Sequence, residues 1–528
     1  MTSERHAPSR SQNGRAKGFL LKDRFIPRPE RVFTNRNMRL SSVHAIGFDL
    51  DHTLAHYDAL AVERLAFEVT KKKLVEKRGY PEETLRLRYD PDFVVRGLLV
   101  DKKRGNILKL DTFKYVTRTY HGRRRLPGDE RRKVYRVRQP RPAVENFASV
   151  DTLFHLPEVY LFLALVELLE ARQGAGPVDF SRLYLDVREL IDEAHADGSI
   201  KRVIVADPAG FIRRDAKLGL TLDEFRRSGK KLFLLTNSEY YYSDALLRHL
   251  LERRSGDRPW QSYFDLLVFD SRKPAFFLNS DDPGFAAREL PGAAGVPCFS
   301  GGTAAFLEER IGAAGDQILY FGDHTYGDIL RSKKSLGWRT AMIVPELERE
   351  LAIAQKLPRE YAQLERLLNA HEQVELAKAE VGRKWRRMLE ETHRAIVFER
   401  HPEKAGARGP ALGPAAAGGA GRPAGDPPGT GGRARGRTRQ VQDLADSMAD
   451  LDHRAASLAG EVKACRRRIE EKYNLYWGSV FREGNEGTRF GQQIRDFACL
   501  YTSRVSNFLH YPTSYYFQSP LSLMPHDL

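Results

Sequence analysis

The sequence predicts an α/β protein with a parallel-sheet core, an inserted α+β cap domain and a C-terminal helical extension. Two observations carry the core. Short apolar runs at 43–48, 203–205, 232–235, 266–269, 318–321 and 340–344 read as buried strands, and amphipathic helical patterns such as 220–227 and 244–253 lie between several of them. A third observation carries the insertion. Thr53 and Thr236, which follow the first and third of these runs, are 183 positions apart. That is far more than one crossover connection needs.

Taken in order, residues 1–25 are polar, with scattered charge and few apolar anchors, and read as a disordered tail. The core occupies 26–56 and 200–345. The cap insertion, 57–199, holds a helix near 59–77, a strand-and-turn region around 90–137, and a helical pair near 157–172 and 179–197. Residues 346–398 are one long charged helical pattern. Residues 404–438, rich in Gly, Pro, Ala and Arg, read as a flexible linker. Beyond it Val441, Leu444, Met448, Leu451, Leu458, Val462 and Ile469 fall near heptad spacing. An antiparallel helix pair with an enlarged loop explains 346–403 and 439–528 better than an oligomeric coiled coil, with the aromatic C-terminal segment packing back on the core.

Composition narrows the function. At 41% hydrophobic and 30% charged residues, the chain can build more than one core. Its net charge of +16 invites a nucleic-acid partner, but residues 1–39 and 404–438 hold most of the excess. The body is close to neutral, so nucleic-acid binding is not the expected main function. Cys298, Cys465 and Cys499 are too scattered for a disulfide framework or a cysteine metal site. The most apolar run, 159–166, is too short to span a bilayer. A cytoplasmic protein with no membrane partner is the simplest reading, with an organelle transit peptide in the Arg- and Ser-containing N-terminus as the alternative.

The chemistry sits just after the strands. Asp49-x-Asp51-x-Thr53 follows the first. In open parallel sheets ligands bind outside the carboxyl ends of the strands. Asp49 there can accept a phosphoryl group as a nucleophile, and Asp51 can serve as general acid and then general base. Thr236-Asn237-Ser238 follows 232–235 and offers hydroxyl and amide groups to phosphate oxygens, with the next helix adding N-terminal N–H groups. Lys273, after 266–269, can neutralise phosphoryl charge. Asp323 and Asp328, after 318–321, suit a hard divalent ion such as Mg2+. Each piece alone has a bland reading: a polar strand cap, a surface lysine, a solvated loop. Their order, each behind its own strand, is the specific signal.

These four pieces match the motifs of the haloacid dehalogenase superfamily, whose core is a Rossmannoid parallel sheet. The longer wording, Phe48-Asp49-Leu50-Asp51-His52-Thr53-Leu54-Ala55, Asp151-Thr152-Leu153-Phe154-His155-Leu156-Pro157-Glu158 and Lys273-Pro274-Ala275-Phe276-Phe277, resembles the cytosolic purine 5′-nucleotidase family. The resemblance implies a Mg2+-dependent hydrolase of purine nucleoside 5′-monophosphates, IMP or GMP, with phosphotransfer to other nucleosides as a second activity. It implies a metal held by Asp49, the Asp51 carbonyl and Asp323, with Asp328 nearby. Thr236, Asn237, Ser238, Lys201 and Lys273 would hold phosphate. Phe154 and His195 would flank the base, and Arg188 and Asp192 would bond its edge; without the resemblance this last pair reads as an i, i+4 surface ion pair. The family also assembles as dimers and tetramers and carries an activating nucleotide site, to which Arg141, Tyr326 and Lys334 would contribute. The sequence departs from the family at Ala196, where an aromatic residue is expected, at His155 in place of Asn, and at Asp496 in place of a basic residue. A phosphatase for another monoester and a nucleotidase-like interaction protein are the competing readings.

Overall fold

The structure, a computed structural model, describes residues 26–136, 146–172, 176–252, 258–278, 283–292, 295–400 and 430–520. The chain forms two compact units, one of residues 1–356 with 471–528 and one of residues 357–470.

The larger unit is built on a nine-stranded sheet. Its centre is Ala45–Phe48, parallel to Lys231–Leu235 on one side and Ile318–Gly322 on the other. Beyond Lys231–Leu235 come Leu266–Phe269 and Cys298–Ser300; beyond Ile318–Gly322 come Arg339–Ile343 and Leu500–Thr502. All of these run parallel, and antiparallel Phe33–Thr34 and Arg288–Glu289 close the two edges. Strands covered on both faces need unbroken apolar runs, and Ala45, Ile46 and Phe48 are fully buried. Gly47 completes the run because a Cβ there would lie 2.1 Å from the Phe233 ring. The chain leaves Ala45–Phe48 toward one side of the sheet and later fills the other, so the crevice at its carboxyl end is a topological switch point.

The insertion forms a five-stranded antiparallel sheet, in the order Arg124–Arg125, Val116–His121, Asn106–Leu110, Leu99–Asp101, Phe147–Ser149. Helices Ala59–Arg78, His155–Glu170 and Phe180–Ala196 pack together with it around a core of its own that includes Phe67, Phe93, Tyr160 and Phe162. Trp477 from the C-terminal segment completes that core, fully buried, its indole N–H donating to the Phe93 carbonyl at 2.5 Å.

Three expectations need correction. The run 203–205 is helical, within Lys201–Ala206. Only Ile204 of its three apolar residues is buried while Val203 is exposed, a one-sided burial that a single helical turn satisfies. The C-terminal segment is not simply helical: Leu500–Thr502 is a strand inside the main sheet, and 471–528 belongs to the larger unit. The long helix after the core is two, Glu346–Lys356 and Pro358–Arg400. The break falls at Pro358, whose missing N–H suits the first turn of a new helix.

The smaller unit is an antiparallel helix pair. Cys465 Sγ faces the Glu360 carbonyl at 3.9 Å, and Lys378 and Asp452 form an ion pair of 2.5 Å. Contact positions thus rise along one helix as they fall along the other. The second helix, Thr430–Tyr473, starts inside the stretch expected to be linker; the rest of that stretch up to 429, like the N-terminal tail 1–25, lies outside the described residues.

Candidate active site

Asp49 immediately follows the central strand, and its backbone N–H donates to the Phe321 carbonyl at 2.9 Å, which locks it beside the neighbouring strand end. Its carboxylate accepts from the Leu50 N–H at 2.8 Å and pairs with Lys273 Nζ at 2.9 Å. Lys273 also reaches Asp328 at 2.7 Å and the Tyr320 hydroxyl at 2.8 Å. Gly322 lets Asp328 enter, since a Cβ there would stand 2.5 Å from the Asp328 Cβ. Asn237 fixes the lysine's backbone: its side-chain oxygen accepts from the Lys273 N–H at 2.6 Å and from the Ser271 hydroxyl at 2.9 Å, and its amide donates to the Lys273 carbonyl at 3.0 Å.

Asp49, Asp323 and Asp328 each present a carboxylate oxygen within 4.8 Å of the others. All three are buried. Burial pushes the Asp49 carboxyl up to about 7 against the pull of Lys273. It also pushes Asp323 well above the carboxylate range, with Arg96 opposing and the other two carboxylates adding repulsion. Burial works against the Lys273 charge too, yet Asp328 and Asp49 together raise its pKa. Asp323 Oδ2 has no hydrogen-bond partner. Three converging oxygen donors, one of them unsatisfied, fit a hard divalent cation, which would neutralise the cluster.

Asp51 faces elsewhere. Its Oδ1 accepts from the Tyr57 hydroxyl at 2.5 Å and its Oδ2 from the Ser238 hydroxyl at 2.7 Å. Tyr57 in turn shares a 2.8 Å hydrogen bond with the Tyr242 hydroxyl. Ser238, expected on phosphate, here serves Asp51. Thr236 is fully buried, its hydroxyl accepting from the Ser238 N–H at 3.1 Å, so it shapes the loop. Lys201 lines the cavity, paired with Glu239 and 5.4 Å from the Tyr242 ring centroid.

One cavity of about 530 Å³ joins this cluster to the cap. Asp49, Asp51, Asn237, Ser238, Lys273, Asp323 and Asp328 line one part; Phe154, Arg188, Asp192 and His195 line another. Phe154 and His195 meet edge to face, 5.7 Å apart at 82°. Arg188 donates to Glu158 at 2.7 Å and to Asp192 at 3.1 Å. Of the residues expected at an activating site, Tyr326 is also on the cavity wall, Lys334 is exposed and Arg141 lies outside the described residues.

Sequence reasoning missed Arg96, Tyr320, Tyr57, Tyr242 and Glu158. Arg96 is fully buried in the cap. It donates to the Asp323 carbonyl at 3.0 Å and grips Glu346 with two hydrogen bonds of 2.6 and 2.5 Å. A charged residue between apolar neighbours, Val94-Val95-Arg96, was the available signal.

Asp49, Lys273 and an acidic cluster thus meet at the switch point of a parallel sheet. The chain belongs to the 5′ nucleotidase family, whose model matches residues 32–528. It is 25% identical over 94% of its length to a 5′-nucleotidase domain-containing protein of Dictyostelium discoideum, covering 75% of that protein. It is 32% and 31% identical to the 5′-nucleotidase domain-containing protein 2 of Rattus norvegicus and of Homo sapiens, in each case over 62% of this chain. These matches span 61% and 65% of the relatives' own length. Among solved structures it is similar to an archaeal beta-phosphoglucomutase from Pyrococcus sp. strain ST 04, at 12% identity and a TM-score of 0.28, covering 57% of this chain and 86% of that one. Among the described residues no helix is long and apolar enough to cross a membrane.

Proposed function

We propose that this protein hydrolyses purine nucleoside 5′-monophosphates of the 6-oxo type, with Mg2+ as its metal, and that it can pass the phosphoryl group to a second nucleoside. The observation that carries this reading is the single cavity whose one part offers nucleophile, lysine and metal cradle, and whose other part offers two aromatic rings and an Arg–Asp pair. Aromatic faces suit a purine, and the Arg and Asp can bond its 6-oxo edge. The relatives' names support a nucleotidase.

Asp49 attacks phosphorus in line. A P–O bond forms to its carboxylate as the ester P–O bond breaks, and Asp51 delivers a proton to the leaving ribose oxygen. Water then attacks the aspartyl phosphate, Asp51 takes the water proton, and inorganic phosphate leaves with Asp49 restored. A nucleoside hydroxyl replacing the water gives transfer. Lys273 and Lys201 bind phosphoryl oxygens. Asp49, Asp323 and Asp328, with the Asp51 carbonyl, would hold the metal, which would supply charge neutralisation to the phosphoryl group. Self-association as dimers or tetramers and a cytoplasmic location belong to the same reading.

A phosphate-release screen over nucleoside monophosphates, with and without Mg2+, tests it. IMP and GMP are expected to lead, only with metal. Asp49→Asn should lower kcat by at least about a thousandfold while the circular dichroism spectrum stays unchanged. Activity retained by that variant, or no release from any purine nucleotide, overturns the proposal.

A further inference from the structure

The base-flanking rings and the general acid are mechanically joined. The edge-to-face arrangement of Phe154 and His195 leaves no slot between them. Sandwiching a purine needs two parallel faces about 7 Å apart, twice the ordinary carbon–carbon contact distance. At least one ring therefore has to move when a base enters, and Phe154 is the one whose ring contacts lead on toward Asp51. Behind it, His52 lies edge to face at 4.6 Å and Tyr57 at 6.2 Å, and His52 and Tyr57 are themselves 4.8 Å apart. These three rings form one triangle. Its far corner, Tyr57, carries the hydroxyl that holds Asp51, backed by Tyr242. Both Asp51 oxygens are engaged, by Tyr57 and Ser238, and Asp51 is not one of the three clustered carboxylates. Two corners of the triangle border a void of about 10 Å³, lined by His52, Phe154 and His195 among others, and His52 Nε2 is buried without a hydrogen-bond partner.

We infer that base entry between Phe154 and His195 displaces the Phe154–His52–Tyr57 triangle and so frees Asp51 from Tyr57 to serve the leaving group. Tyr57 is thus a positioning residue that lets the enzyme reserve full turnover for phosphate esters that carry a base. A base-free ester such as ribose 5-phosphate fills the phosphate end but leaves Asp51 stored. This inference rests on the nucleotidase reading.

The test compares kcat for IMP with kcat for ribose 5-phosphate under saturating Mg2+. The wild-type protein is expected to favour IMP in kcat, not only in KM. Tyr57→Phe keeps the ring and removes the hydroxyl. It should cut the kcat ratio about tenfold, the scale of one hydrogen bond to a charged group, chiefly through faster ribose 5-phosphate turnover. Tyr242→Phe, which leaves Tyr57 in place, should move the ratio the same way by less; it carries the test if circular dichroism shows Tyr57→Phe unfolded. A purely structural tyrosine would lower both kcat values in proportion. An unchanged ratio in the folded variants, or equal wild-type kcat values, overturns the inference while leaving the nucleotidase reading intact. A wild-type protein that hydrolyses ribose 5-phosphate but no purine nucleotide overturns both.

Discussion

The two parts of the cavity are built to different standards. At the phosphate end, Asp49, Lys273, Asp323 and Asp328 are all buried, and Lys273 is tied to two of the carboxylates at 2.9 Å or less. At the base end, the Arg188 and Asp192 side chains are 37% and 58% exposed and the two aromatic rings meet edge to face. Buried charge demands full compensation, so the phosphate end tolerates one arrangement. The exposed Asp192 and the edge-to-face rings can rearrange at little cost, while Arg188 stays tied to the buried Glu158 at 2.7 Å. On the nucleotidase reading, the contrast teaches that chemistry is preorganised here while substrate choice is left to side chains that adapt.

The hardest way to break that contrast is to attack the rigid end from outside the cavity. Arg96 is fully buried between the Asp323 carbonyl and the Glu346 carboxylate, and it is not among the residues lining the cavity. Arg96→Met should cost about 3–5 kcal/mol of stability, the scale of breaking a buried pair from one side, read by urea unfolding. The remaining folded protein should also need more Mg2+ for half-maximal turnover, because Asp323 loses its backbone anchor. A loss below 1 kcal/mol would show that the rigid end does not depend on this arginine.

How much of this was legible follows the same divide. Asp49, Asp51, Lys273, Asp323 and Asp328 could be read because each stands just past a short apolar strand, where a parallel sheet must present its polar residues. Arg96, Tyr320, Tyr57 and Tyr242 could not. The partners of Arg96 and Tyr242 are remote in sequence, Tyr57 is close to Asp51 but reads as an ordinary core aromatic, and Tyr320 sits inside a strand where it passes for core. Leu500–Thr502 was missed as a strand because three residues carry no periodicity; pairing with Arg339–Ile343 and Phe33–Thr34 makes it one. The run 203–205 failed for the opposite reason: β-branched residues suggested a strand, and one-sided burial overrode propensity.

A smaller effect is expected beneath the base end. Glu63, in the helix Ala59–Arg78, borders the small void beside Phe154 and accepts from the Tyr89 hydroxyl at 2.9 Å. Burial pushes its carboxyl up from 4.5 to about 7. The folded protein therefore holds this proton more tightly than the unfolded chain does. The resulting stabilisation is complete below pH 4.5 and is lost as pH rises through about 7. Glu63→Gln should flatten that part of the stability profile and raise stability at pH 8 by up to about 3 kcal/mol. A variant whose urea midpoint follows the wild-type pH profile would show that Glu63 ionises as freely folded as unfolded, and the base end would then be softer than its burial implies.

The smallest change sharpens the contrast most. Asp192 is largely exposed and, among the described residues, its side chain bonds Arg188 at 3.1 Å. Removing its charge should leave stability within 1 kcal/mol, since exposed ion pairs contribute little. If it bonds the purine edge, however, Asp192→Asn should raise KM for IMP about fivefold, the scale of the difference between a charged and a neutral hydrogen bond. KM for ribose 5-phosphate, which has no base edge, should stay where it was. The rigid end would then set what reaction occurs and the exposed pair which ester receives it. Equal rises in KM for both esters would place Asp192 on the phosphate rather than the base, and the division between the two ends would fall with that result.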